Sequence, residues 1–68
     1  MKPISGKSFA RLVEQSGWRL LRIKGSHHIY GKPNSQVRLS IPIHKNQMLK
    51  IGLQQHLMKL ANIREDEV

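Results

Sequence analysis

The chain contains no cysteine, which excludes disulfides, zinc thiolate sites and cysteine nucleophiles. One tryptophan, one tyrosine and one phenylalanine are too few for the repeated base-stacking side chains of single-strand-binding proteins. No apolar stretch approaches the roughly 20 residues of a membrane span, and the first residues lack the apolar region of a signal peptide. We therefore expect a cytoplasmic protein with no membrane partner.

Acidic residues are also scarce. Twelve Lys and Arg against four Asp and Glu give a net charge of +8, and Glu14 is the only acid before residue 65. A field of this sign attracts polyanions, so nucleic acid is the leading candidate partner and an acidic protein is the second. Because hard cations need several carboxylates together, we expect neither a metal site nor a two-metal nuclease. We also expect no small-molecule cofactor.

The length of 68 residues predicts a single domain over 1–68 with one thin core and no deep cavity. Apolar residues recur at helical spacing between an N-cap at Ser5 and a stop at Gly17, which predicts a helix over 6–16. Runs rich in bulky side chains, separated by Gly-rich turns, predict strands over 18–24, 27–30 and 36–42.

A second helix is predicted over about 46–61, with one apolar stripe formed by Leu49, Leu53, Leu57 and Leu60. The resulting order, α-β-β-β-α, predicts an α+β fold: a three-stranded antiparallel sheet with two helices on one face and the other face open. Double-stranded-RNA-binding domains share this order, although element order alone does not establish function.

Acid–base chemistry near neutral pH would fall to the four histidines. RNA is cleaved without metal when a base takes the 2′-hydroxyl proton, an acid protonates the leaving 5′-oxygen, and cations stabilise the phosphorane. His27 follows Gly25, which allows a close approach to phosphate, and Ser26, which offers a hydroxyl. Cationic side chains that could bind the phosphates are Lys24, Arg22 and Arg38. These residues alone also fit an exposed histidine with no catalytic role.

A family resemblance favours the catalytic interpretation. The segment 24–30, Lys-Gly-Ser-His-His-Ile-Tyr, followed by Ile-Pro-Ile-His at 41–44, resembles the HicA-type (YcfA-like) toxin family, and both flanking helices fit the same pattern. The resemblance implies an mRNA-cleaving toxin with a double-stranded-RNA-binding-like fold, with His27 as the catalytic residue, held inactive by a HicB-type antitoxin. Asn62 departs from the glycine common in the family, but asparagine also tolerates the left-handed conformation.

The other histidines carry weaker expectations. His28 should point to the opposite face of the strand from His27 and pack beside Tyr30. His44 fits a phosphate ligand, a second acid or a loop-anchoring residue equally well, and we include it among the candidate RNA-binding residues. His56 is expected at the boundary of the apolar stripe.

Two non-catalytic functions remain open at the level of sequence. A double-stranded-RNA-binding module shares the fold and the charge but gives His27 no special role. A DNA-binding or purely protein-binding subunit ranks lower, because the strand-rich middle lacks a helix-turn-helix pattern.

Overall fold

The computed structural model describes residues 2–68 and has the expected α-β-β-β-α order. The three strands form one antiparallel sheet in the order β1-β2-β3, which confirms the α+β class. None of the helices within residues 2–68 is long and apolar enough to cross a membrane. The elements are α1 (Gly6–Gln15), β1 (Arg19–Lys24), β2 (His27–Gly31), β3 (Leu39–Pro42), α2 (Ile51–Ala61) and a closing 3₁₀ turn (Glu65–Glu67).

The first helix begins and ends for the reasons that the sequence suggested. The Ser5 hydroxyl accepts a hydrogen bond from the Ser8 N–H at 3.1 Å and caps the helix. Gly17 adopts a left-handed φ of 96°, which stops the chain from continuing as a helix. The helix ends at Gln15, one residue earlier than predicted.

The core lies between the two helices and one face of the sheet. Leu39, Ile41 and Tyr30 are almost fully buried, whereas Ser40, between the first two, is exposed. Because successive strand residues point to opposite faces, only one face of the sheet is covered. The helices cover it with apolar side chains, among them Phe9, Val13, Leu57, Met58 and Ala61.

The third strand is shorter than predicted, beginning at Leu39 instead of residue 36. Local hydrogen bonds hold the preceding segment as a loop. The Val37 N–H donates to the Ser35 hydroxyl at 3.1 Å, and the Arg38 guanidinium donates to the carbonyls of Ser35 and Val37. Val37 alternates with Leu39 and Ile41 in the sequence, but it lies in this loop and is 37% exposed instead of buried like them.

The second helix was also predicted too long, because it begins at Ile51 rather than near residue 46. Lys45 has a left-handed φ of 55°, which breaks any continuous helix at that point. Met48 forms an isolated bridge with Ser5, and the Leu49 N–H donates to the Ile4 carbonyl at 2.8 Å. Residues 48–49 therefore pair with the segment that precedes α1, and α2 begins only after them.

The predicted leucine stripe is only partly buried. Leu49 and Leu57 are in the core, but Leu53 is half-buried and Leu60 is 38% exposed. The face that α2 turns inward includes Gln54 and Met58, which the stripe did not contain. Asn62 ends the helix with a φ of 58°, as a glycine would at this position.

Candidate functional site

A two-residue turn, Gly25-Ser26, joins β1 to β2. Gly25 has a φ of 60°, and glycine at the first position of such a turn is typical of a type II′ hairpin. A Cβ at Gly25 would meet nothing within 4 Å, so the requirement for glycine is conformational rather than steric. The Ser26 carbonyl accepts the Ile43 N–H at 2.7 Å, which holds the turn against the end of β3.

The strand register arranges side chains in rows on the open face, the sheet face that the helices do not cover. Lys24 pairs with His27, and His27 pairs with Pro42, so these three side chains form the row nearest the turn. The His27 side chain is exposed. The next row on the same face consists of Arg22, Ile29 and Ser40.

His28 lies on the opposite face, as expected from its position next to His27. It pairs with Ile41 across the sheet and is half-buried. Tyr30, two residues on, is 2% exposed and donates its hydroxyl hydrogen to the Glu14 carboxylate at 2.6 Å. Burial, helped by this carboxylate, raises the pKa of Tyr30 to about 12.

Arg38 is not close to His27. A Cβ built on Gly31 would approach its guanidinium to 3.2 Å, which places Arg38 at the other end of β2. His27 and Gly31, the two ends of β2, are four steps apart along the strand, or roughly 13 Å at the usual rise per residue. There Arg38 lines a shallow groove of about 220 Å³ with Arg19 and Leu21. Arg38 therefore shares the sheet but not the row of the candidate catalytic residue.

His44 follows β3 and is exposed. It lines a groove of about 290 Å³ between the end of β3 and the start of α2, together with Pro42 and Leu49. Pro42 is also the neighbour of His27 across the sheet, so His44 lies beside the candidate site rather than within the row. Its backbone carbonyl accepts the Gln47 N–H at 3.1 Å. His56, expected at a boundary, is exposed on α2.

The open face carries cations without neighbouring carboxylates. These cations come from β1 and from Arg38 in the loop before β3. Glu14 lies on the helix side of the sheet, where it accepts the hydroxyl hydrogen of Tyr30. The three C-terminal acids lie in the 3₁₀ turn, where the Arg64 side chain meets Asp66 at 3.4 Å. Within residues 2–68, no group of three or more His, Cys, Asp or Glu side chains could hold a metal ion.

Two features of the site region were missed from the sequence. The Glu14–Tyr30 contact joins residues 16 positions apart, and only the buried tyrosine on a strand hinted at a need for a partner. Arg19 was not singled out, although its pairing with Gly31 places it on the open face. Simple alternation from Arg22 would put Arg19 on the opposite face, but a bulge between Leu20 and Arg22 shifts the register and brings Arg19 to the open face.

The comparison with known protein families points to a class of small bacterial toxins. The family model for the HicA toxin of bacterial toxin–antitoxin systems matches residues 6–63. The chain therefore belongs to the HicA toxin family, which implies a toxin role and an antitoxin partner. No curated protein matches the chain.

Proposed function

We propose that the chain is a metal-independent endoribonuclease that cleaves mRNA in the cytoplasm, blocks translation, and is neutralised by a HicB-type antitoxin. The observation that carries this proposal is the row on the open face in which exposed His27 is paired with Lys24. A titratable imidazole beside a cation, with no carboxylate nearby, suits proton transfer at a phosphodiester.

The chemistry assigned to His27 is proton transfer during attack of the 2′-oxygen on phosphorus. The bond from phosphorus to the 5′-oxygen breaks, leaving a 2′,3′-cyclic phosphate and a 5′-hydroxyl. His27 either takes the 2′-hydroxyl proton or donates a proton to the leaving oxygen. Lys24 and Arg22, on the same face, stabilise the negative charge that builds on the phosphorane.

The turn and the far end of the sheet have supporting roles in this proposal. Gly25 lets the backbone approach a phosphate closely, and Ser26 contributes a hydroxyl that orients it. Arg38 lies too far from His27 to reach the same phosphate, so we assign it to a phosphate farther along the RNA. His44 lies beside the row and is assigned to RNA binding.

A growth assay tests the proposal in cells. Induced expression of the wild-type chain should arrest growth, and His27→Ala should restore it while the purified variant keeps the wild-type circular dichroism spectrum. His28→Ala is the matched control, because His28 lies on the other face of the same strand and should leave the arrest in place. If His28→Ala restored growth and His27→Ala did not, the assignment would be wrong.

A non-enzymatic double-stranded-RNA-binding module is the second candidate. Its support is that cations extend along the whole open face, from Lys24 near the turn to Arg19 and Arg38 at the far end. Such a module would bind duplexes with a steep salt dependence. His27→Ala would then change the affinity only slightly and abolish no activity.

A further inference from the structure

The strand β1 is an edge strand whose residues all stay exposed although α1 lies beside it. Among the described residues 2–68 it pairs with β2 alone, and all six of its residues are exposed. Leu20, Leu21 and Ile23 are 44%, 53% and 55% exposed. An exposed edge presents unpaired N–H and C=O groups that can accept another strand. Three large apolar side chains on such a strand indicate a surface that becomes buried in a complex.

The helix side of β1 borders a basic groove. The groove has a volume of about 470 Å³, and its wall includes Leu20 of β1 and Lys7 and Arg11 of α1. Lys7 and Arg11 are four residues apart on the helix, so their side chains lie on the same helical face. Lys45 adds a third cation, and the only acid of the groove, Glu14, already accepts the hydroxyl of Tyr30.

The open side of β1 is basic as well, since Arg19, Arg22 and Lys24 pair with residues of the open face. A strand added to this edge would therefore meet cations on both of its faces. A second copy of β1 would place like charges opposite one another, which is destabilising.

We propose that the free edge of β1 is the docking site for an acidic strand of the antitoxin, which adds to the sheet as a fourth strand. Backbone hydrogen bonds to β1 provide affinity, and alternating side chains provide specificity. Apolar residues of the added strand cover Leu20 and Ile23, while its acidic residues meet Lys7 and Arg11 on one side and Arg22 on the other. The identity of the partner as the antitoxin rests on the proposed function.

This docking mode explains how inhibition would work without a conformational change. Lys24 of β1 is the direct neighbour of His27, so an added strand lies two strands away from the candidate catalytic residue. At the usual strand spacing this is roughly 10 Å. A folded domain attached to that strand would overhang the open face and exclude RNA from it.

The test uses the full-length chain, labelled with ¹⁵N, and a short synthetic peptide that repeats Glu-Glu-Val-Val, so that each face of the added strand carries both glutamate and valine. Titration should shift the amide resonances of β1 and of Lys7 and Arg11 more than those of Ser40 on the open face. The same peptide with an N-methyl group at every residue is the control. It keeps the charge but loses all of its N–H donors on both edges, and it should not shift β1.

Charge-reversal variants separate the groove from the general positive field. Lys7→Glu and Arg11→Glu should each weaken peptide binding by about three- to tenfold. Lys59 is exposed on α2 and does not line the groove. Lys59→Glu makes the same change in net charge and should weaken peptide binding by less than about twofold. RNA cleavage, the activity of the proposed function, should be retained by all three variants, because none of them lies on the open face.

Several outcomes would overturn the inference. Equal binding of the N-methylated peptide would show charge attraction without strand addition. Shifts centred on His27 and Ser40 would place the acidic peptide on the open face, and no shift at millimolar peptide would remove the site. Larger shifts of Lys7 and Arg11 with an RNA oligonucleotide would make the groove a nucleic-acid surface instead. Because cleavage is measured separately, loss of the proposed function would be visible as an inactive wild-type chain.

Discussion

The buried amide of Gln54 ties the N-terminal segment to α2, and its removal should be costly. The side chain is fully buried; its Oε1 accepts the Ile4 N–H at 3.0 Å and its Nε2 donates to the Lys2 carbonyl at 2.9 Å. Gln54→Met keeps the length and the helix propensity of the side chain but removes both hydrogen bonds. The variant therefore isolates the polar contribution of this residue.

The expected loss in the free energy of unfolding depends on whether each backbone group that bonded to Gln54 can bond to water instead. The Ile4 N–H belongs to a half-buried residue, so leaving it unpaired costs about 1–3 kcal/mol. Lys2 is exposed, so its carbonyl regains water and the loss there is about 0.5–1.5 kcal/mol. The two losses add to about 1.5–4.5 kcal/mol, centred near 3, which is a large part of the roughly 3–10 kcal/mol typical for a chain of this length.

Urea denaturation followed by circular dichroism measures this change in the free energy of unfolding. At about 4–8 °C per kcal/mol, a loss near 3 kcal/mol should lower the melting temperature by roughly 12–24 °C. Gln55→Met is the matched control, because Gln55 is the exposed neighbour on the same helix and should change stability by less than about 0.5 kcal/mol. A loss as small for Gln54→Met would refute the view that this amide anchors the N-terminal segment.

Three further predictions concern packing, pH and salt. Gly6→Ala should destabilise by about 1–3 kcal/mol because its Cβ would collide with the backbone carbonyl of Pro42. Gly52→Ala, in open space on a helix, should instead stabilise by about 0.5–1 kcal/mol, and thermal melts compare the two. Folding raises the pKa of Tyr30 from 10.0 to about 12, so the stability that this shift contributes is complete below pH 10 and is lost as the pH rises towards 12. In Tyr30→Phe, the free energy of unfolding should therefore depend less on pH across that interval. Single-stranded RNA affinity should fall with salt, and Lys24→Ala should reduce the slope of the log–log plot by about 0.7.

Each of these predictions has a result that would contradict it. Equal melting temperatures for the two alanine variants would mean that α1 does not approach β3 as closely as described. An unchanged pH dependence in the phenylalanine variant would remove the tyrosine from the alkaline transition. A salt slope unaffected by loss of the lysine would mean that this side chain contacts no phosphate.

The parts of the fold predicted correctly are those governed by local rules. The Ser5 cap, the Gly17 stop and the Gly25-Ser26 turn each depend on the conformational preference of one or two residues. The opposite orientation of His27 and His28 follows from the two-residue period of a strand. Such features can be read from sequence because neighbours along the chain determine them.

The errors arise where contacts between distant segments override local pattern. Residues 46–50 have helical periodicity, but a turn at 45–46 and the pairing of Met48 with Ser5 keep them out of α2. Gln54 is polar and was not expected in the core, yet it satisfies backbone groups 50 or more positions away. The distance between Arg38 and His27 is likewise set by the pairing of distant segments, because Leu39 pairs with Tyr30 and this register puts Arg38 at the far end of the sheet.

The candidate site shows the same division. The row formed by Lys24 and His27 could be expected from a short hairpin, because both residues flank the turn. The exposure of β1 could not be predicted, because the sequence does not reveal which strand of the sheet the helices leave exposed. The charge balance did indicate an acidic protein as the second candidate partner, and the exposure of β1 beside a basic groove is why we propose this edge as its docking site.

The most direct test of the central claim is cleavage of a defined mRNA by the purified chain in the presence of a chelator, with wild type and His27→Ala compared side by side. The account predicts that the wild type cuts the RNA with the chelator present and leaves 2′,3′-cyclic phosphate ends. It predicts that a folded His27→Ala cuts at least about 100-fold more slowly, the lower range for loss of a general acid or base. A folded wild type that leaves the RNA intact, or a variant that cuts as fast as the wild type, would contradict it.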